Sequence, residues 1–240
     1  MCIRDSGQGG VAWFGLFAVL AIAVLSVVGK WYAANLHRLS VKRGHPADFH
    51  LSQKQIVRAL VVLALLIFSK FIYMSSMSSY FIFFLIGKFG LTVQQAQLHL
   101  FLFLAAVAVG TFVGGPIGDK VGRKAVIWVS ILGVTPFTLA LPYANETWTA
   151  VLSVIIGLIL ASAFSAIVVF AQELVPGRVG TVSGVFFGLM FGISGIAGAG
   201  LGWLADNTSI DLVFRLCAFL PLLGILTVLL PNMKKPKAKA

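Results

Sequence analysis

The sequence predicts an all-α membrane protein, and three observations lead to this fold class. Hydrophobic residues make up 59% of the 240 residues, and the mean hydropathy is +1.00. Charged residues make up only 10%, against about 25% in ordinary soluble proteins. Long apolar runs alternate with short polar breaks, and about 20 apolar residues are enough to cross a bilayer. Because backbone polar groups find no water in lipid, each run should form a helix.

The charge balance supports a membrane location and argues against nucleic-acid binding. The chain carries 18 Lys and Arg against 7 Asp and Glu, a net charge of +11. Basic residues fall at the ends of the apolar runs and in a few loops, the pattern that orients helices in a membrane. The lipid bilayer is therefore a predicted partner. The two cysteines lie in different environments, so neither a disulfide framework nor a metal site is predicted.

The first 55 residues divide into three segments. Residues 1–10 are polar and fit nothing that follows, which we interpret as a non-native or truncated start. Residues 11–29 form an apolar run of spanning length. Residues 30–55 are basic and include scattered histidines whose spacing is poor for a metal site. Their composition predicts a cytoplasmic linker near the lipid headgroups.

Residues 56–230 contain six further apolar runs. The first is longer than one span needs, and a serine-rich stretch at residues 75–79 predicts a tilted or locally unwound helix there. If the linker is cytoplasmic, alternation of the spans places nearly all basic loop residues on that side, which supports the span count. The basic tail, residues 231–240, is then cytoplasmic as well. The six runs cover residues 56–86, 94–117, 125–143, 148–171, 179–205 and 212–230.

The most specific motif is the polar break after the second of these six runs. It reads Gly-x-x-x-Asp-Lys-x-Gly-Arg-Lys and resembles the cytoplasmic loop motif of the major facilitator superfamily. The resemblance implies a secondary transporter of small solutes. The matching residues are Gly115, Asp119, Lys120, Gly122, Arg123 and Lys124.

Six stretches, the first of which contains that motif, look like the fosmidomycin resistance protein family, at residues 109–124, 127–134, 141–145, 162–167, 171–177 and 201–206. That resemblance implies a drug-exporting facilitator of the bacterial inner membrane, with two six-helix bundles joined by a long cytoplasmic linker. Residues 11–29 would then be the last helix of the N-terminal bundle, and residues 56–230 the whole C-terminal bundle. The chain is interpreted as a C-terminal fragment whose partner is the missing N-terminal half.

The expected mechanism is export of a drug by proton antiport, which gives antibiotic resistance. No acidic residue lies deep in the runs, so proton-carrying carboxylates are expected in the missing half. No nucleotide-binding Gly-Lys-Ser/Thr loop and no enzyme motif occur, so neither ATP-driven transport nor catalysis is predicted, and no cofactor. The alternative is a non-transporting half-bundle that acts through association with itself or another protein.

Lys70 is the most informative single residue for a substrate site. A charge at mid-membrane costs about 2.5–3.5 kcal/mol, so it should face a cavity or a partner. An anionic substrate, or a carboxylate of the missing half, would fill that role; the alternative is that Lys70 snorkels to a surface. The candidate substrate-binding residues are Lys70, Tyr73, Ser75, Ser76, Ser162 and Ser165.

Two further features concern motion. Asp119 and Arg123 are predicted to pair with Glu173 and Arg178 of the other cytoplasmic break and to latch the helix ends, although Lys120, Arg123 and Lys124 also fit simple orientation anchors. Four glycines recur at every fourth position, which predicts a flat face for helix packing or sliding. They are Gly180, Gly184, Gly188 and Gly192, with a shorter strip at Gly110, Gly114 and Gly118.

Overall fold

The computed structural model describes residues 9–42, 52–175 and 177–231, with side chains described from residue 19 to 35 in the first range. Every described element is an α-helix or a 3-10 helix, so the all-α membrane class is confirmed. Residues 1–8 of the predicted start, residues 43–51 of the predicted linker and residues 232–240 of the tail lie outside these ranges.

The chain divides into two units, Met1–Asp48 and Phe49–Ala240. In the first unit, helix α1 (Gly9–Lys42) is 34 residues long. It continues past residue 30, where the linker was predicted to begin, so that boundary falls inside the helix. The reason is local: residues 30–42 contain neither glycine nor proline, and the first helix breakers are Gly44 and Pro46.

The second unit holds six helices of spanning length, as the sequence predicted. Helices α2 (Gln53–Phe89), α3 (Val93–Val121), α5 (Glu146–Leu174) and α6 (Val179–Asn207) are continuous. Helix α4 (Arg123–Tyr143) is broken by a turn at residues 132–134 and ends in a 3-10 segment. Helix α7 (Ile210–Leu229) begins as an α-helix and continues as a 3-10 helix from Leu220.

The predicted unwinding at residues 75–79 is wrong, because α2 is helical throughout. The serine hydroxyls are accommodated by bonds to carbonyls one turn earlier. Ser76 donates to the carbonyl of Tyr73 at 2.8 Å, and Ser78 donates to that of Ser75 at 3.4 Å. These bonds satisfy the hydroxyls inside the helix without opening it.

Polar caps and glycines set the helix ends. Thr92 and Gln95 form a capping box at the start of α3, and the Asn145 side chain accepts from the backbone of Trp148 at the start of α5. Gly90 ends α2 with φ +67°, and Gly122 turns α3 into α4 with φ +103°. These positive φ values favour glycine, which explains the short turns between the spans.

The core of the bundle consists of two hydrophobic clusters stacked along the helices. One includes Leu63, Ile127 and Ile167, and the other includes Phe81 and Phe214. On α2 the clusters separate between residues 67 and 73, where Ser69 and Lys70 lie buried. Lys70 is therefore buried where the two apolar clusters separate on α2.

The closest contact between helices is that of α3 with α5. A Cβ placed on Gly110 would overlap the carbonyl oxygen of Leu158, and one placed on Gly114 would overlap that of Ser162. Only glycine permits such an approach of two backbones. The shorter glycine strip is thus a packing surface within the bundle.

Candidate functional site

Lys70 is the centre of the candidate site. It lies about 17 residues, or roughly 25 Å, along α2 from Gln53, which places it far from either helix end. Its side chain is 2% exposed, and it is the only charged residue among the buried residues that the structure describes. The alternative that Lys70 snorkels to a surface is therefore wrong, because the ammonium is closed off from solvent.

The ammonium of Lys70 has aromatic neighbours instead of a counter-ion. Its Nζ lies 5.8 Å from the ring centroid of Phe71 and 5.8 Å from that of Phe164 on α5. No hydrogen-bond acceptor and no carboxylate of the described residues contacts it. The face of an aromatic ring attracts a cation less strongly than an anion does. The site is thus a buried cation that lacks a partner of opposite charge.

The other five candidate substrate residues have different surroundings. The hydroxyls of Ser75, Ser76 and Ser162 donate to backbone carbonyls of Ser194, Tyr73 and Ile159 at 3.0, 2.8 and 2.7 Å. The bond of Ser75 joins α2 to α6, and the bonds of Ser76 and Ser162 lie within their own helices. The hydroxyl of Tyr73, one turn from Lys70, is buried and has no hydrogen-bond partner among the described residues. The sixth residue, Ser165, faces Gly115 across the contact of α5 with α3.

The carboxylates of the described residues all lie at the ends of helices, and none of them contacts Lys70. They belong to Asp119, Glu146, Glu173, Asp206 and Asp211.

Arg123 joins two polar breaks at one end of the bundle. Its guanidinium forms ion pairs with Glu173 at the end of α5 and with Asp119 at the end of α3, the latter at 3.6 Å. The Arg123 and Glu173 side chains are 21% and 32% exposed, whereas Asp119 is 73% exposed. Arg123 and Glu173 thus form the better-shielded pair.

The remaining basic residues of the motif have separate surroundings. Lys124 donates to the carbonyl of Leu230 at the end of α7, and Lys120 is exposed. Arg178 forms no ion pair with a described residue; it lines a groove of about 230 Å³ together with Leu60, Thr181 and Val185. The predicted cluster of four charges is therefore a cluster of three, because Arg178 points elsewhere.

The four regularly spaced glycines of α6 do not pack within the bundle. No atom lies within 4 Å of a Cβ placed on Gly180, Gly184, Gly188 or Gly192, as far as the structure describes the chain. The interpretation as tight packing inside the bundle is wrong, since α6 buries only Val182, Phe186 and Met190. Spacing alone did not distinguish this open face from the closed one on α3.

Sequence reasoning missed three residues of interest. Phe164 contacts Lys70, and Phe187 contacts Phe164, but a phenylalanine in an apolar run carries no distinguishing pattern. Lys88 donates to the carbonyls of Pro142 and Ala144 at 2.6 and 2.9 Å and so joins α2 to the end of α4. A lysine in the last turn of a helix was the available indication.

Comparisons with known proteins agree with this architecture. The family model of the Major Facilitator Superfamily matches residues 7–199 and 59–240. The "Fosmidomycin resistance protein" of Escherichia coli (strain K12) is 60% identical over 231 residues, which are 96% of this chain and 57% of that protein. The "Uncharacterized MFS-type transporter YfnC" of Bacillus subtilis (strain 168) is 40% identical over 95% of this chain and 57% of its own length. The "Gallate transporter" of Pseudomonas putida is 29% identical over 54% of this chain.

The chain thus spans somewhat more than half the length of the two relatives that it matches over nearly all of its residues.

Proposed function

Because the chain belongs to the major facilitator superfamily, we propose that it provides one six-helix bundle of a secondary active exporter of small anions. The observation that carries this proposal is the unpaired ammonium of Lys70, buried at mid-membrane. A buried cation without a counter-ion is unfavourable. An anion that binds there forms a charge-assisted hydrogen bond and removes the free-energy cost of burying the charge alone.

The proposed substrate is a phosphonate of the fosmidomycin type. The name of the Escherichia coli relative supports this choice, and an ammonium between two aromatic rings suits a small anion with an apolar body. Tyr73 is proposed as a second substrate contact, because its hydroxyl is buried without a partner one turn from Lys70. Export of such a compound would give antibiotic resistance.

We propose proton antiport as the energy source. The described carboxylates lie at the ends of the spans, so proton-carrying carboxylates are proposed to lie outside this chain, in an N-terminal bundle that completes the transport path. The proposed location is the bacterial inner membrane. The C-terminus would face the cytoplasm, on the same side as the basic loop with Asp119 and Arg123.

The ion pairs of Arg123 are proposed to act as a latch on the cytoplasmic side. They connect the ends of α3 and α5 to the start of α4. Pairs that are partly exposed contribute about 0–1 kcal/mol each. A contact of that size can hold one conformation and still break in each transport cycle.

The test uses the Escherichia coli relative as a host for this chain. The matched region of that protein is replaced by this chain, and fosmidomycin resistance is measured in a strain that lacks the native resistance protein. We expect the replacement to confer resistance, Lys70→Met to abolish it, and Lys70→Arg to retain part of it. Lys54→Met is the matched control, because Lys54 is exposed at the start of α2.

Two results would contradict the proposal. Resistance that Lys70→Met leaves unchanged, at equal amounts of protein in the membrane, would remove the substrate role of Lys70. A replacement that reaches the membrane but confers no resistance would favour the alternative, a half-bundle that acts through association.

A further inference from the structure

Two aromatic rings stand in series between the surface of the bundle and Lys70. The Lys70 Nζ lies 5.8 Å from the ring of Phe164 on α5, and that ring lies 5.9 Å from the ring of Phe187 on α6, with the planes at 54°. Lys70 is 2% exposed, Phe164 is half-buried, and Phe187 is 38% exposed. The contacts thus lead from the outside of α6 to the buried ammonium.

Where Phe187 lies, helix α6 is held by apolar packing of Phe186 and Met190 and not by side-chain hydrogen bonds. Side-chain hydrogen bonds reach α6 at three places: Gln172 to Ser183, Ser75 to the carbonyl of Ser194, and Tyr80 to the carbonyl of Gly198. Among the described residues, no such bond reaches residues 184–193. This stretch holds three glycines that add no side-chain contact, at positions 184, 188 and 192.

The other aromatic neighbour of Lys70 is on the same helix as the lysine. Phe71 neighbours Lys70 on α2, so its backbone moves with the lysine. The ring of Phe164 is on another helix and packs against the ring of Phe187, which is 38% exposed. Access to the ammonium by displacement of a side chain is therefore expected from the side of Phe164 and Phe187.

We propose that Phe164 and Phe187 form an aromatic lid over Lys70, and that a small anion reaches the ammonium when these two side chains move aside. This inference rests on the proposed function in taking Lys70 as an anion site. In the closed state the ring face of Phe164 is the partner of the ammonium. An oxyanion is the stronger partner and replaces the ring once it arrives.

The lid is tested by the reaction rate of a thiol placed at the site. In the 240-residue chain, Cys2→Ser and Cys217→Ala remove the native thiols, and Lys70→Cys introduces one. The probe is the anionic reagent sulfonatoethyl methanethiosulfonate, applied to purified protein in detergent micelles. The extent of modification over time is measured by mass spectrometry.

We expect slow modification of Lys70→Cys, and acceleration by Phe187→Ala and by Phe164→Ala. The factor should be about 3 to 10, since each change removes one aromatic contact from the closed state. Phe191→Ala is the matched control: Phe191 lies one turn further along α6 and is 71% exposed. Its removal should leave the rate unchanged.

Three outcomes would overturn the lid. They are equal rates for Phe187→Ala and Phe191→Ala, modification of Lys70→Cys as fast as that of an exposed thiol, and no modification in any variant. Phe187→Leu keeps an apolar side chain and should give an intermediate rate. Equal unfolding midpoints of the variants show that none of them has a folding defect. The assay involves no transport, so loss of the substrate role of Lys70 in the resistance test would leave its result intact.

Discussion

Arg123, the first residue of α4, holds the carboxylate of Glu173 at the end of α5. The pair joins the two polar breaks at one end of the bundle, and its side chains are only 21% and 32% exposed. Asp119 approaches the same guanidinium from the solvent side at 3.6 Å. The inner and outer partners of Arg123 should therefore contribute unequally to stability.

Replacing Glu173 by Gln should lower the free energy of unfolding by about 1 kcal/mol, because a partly buried charge-assisted bond is lost. Unfolding by urea and sodium dodecyl sulfate in detergent micelles measures the change. Asp119→Asn is the comparison and should cost less, since water screens that carboxylate. The difference should shrink as salt is added, and equal losses for both variants would contradict the unequal roles.

Replacing Lys70 by Met should stabilise the bundle in the absence of substrate, by about 1–3 kcal/mol. The change replaces a buried, unpaired ammonium with an apolar side chain of similar length. Thermal unfolding in micelles measures it, with Lys54→Met as the control that changes little. Fosmidomycin should raise the midpoint of the parent chain and leave that of Lys70→Met unchanged. A destabilised Lys70→Met variant would mean that the ammonium has a favourable structural role.

Replacing Gly114 by Ala should destabilise the bundle by about 1–3 kcal/mol, because the new methyl group would force α3 away from the backbone of Ser162. Gly188→Ala on α6 is the matched control, with open space around the added methyl. It should be neutral or slightly stabilising, since Ala favours the helix. Comparable losses at the two positions would show that the backbones of α3 and α5 are not in close contact.

Replacing Lys88 by Met should cost about 1.5–3 kcal/mol, because two carbonyls at the end of α4 lose a charged donor. Lys88→Arg should recover part of the loss. Lys120→Met serves as the control, as Lys120 is exposed on the opposite side of the bundle. Thermal unfolding ranks the three variants, and an unaffected Lys88→Met would mean that water replaces the donor.

The sequence was sufficient for the fold and for part of the site. The lipid environment forces apolar runs into helices, so composition and the polar breaks determined the six spans, and the cost of a buried charge identified Lys70. The contacts of individual side chains could not be predicted from the sequence. The glycine strips on α3 and α6 have the same spacing, yet only the first faces a backbone. Arg178 shares the charge of Arg123, yet it points to a groove rather than to a carboxylate.

The 3-10 segments of α4 and α7 have a mechanical consequence. These two helices lose regular α-helical hydrogen bonding at residues 132–134 and from Leu220 onward, whereas α2, α3, α5 and α6 remain unbroken. The 3-10 bonds have poorer geometry and bend more easily. The bundle thus contains four continuous helices and two helices that bend more easily. A bending load should be taken up in the C-terminal halves of α4 and α7, while the distance between α3 and α5 stays constant.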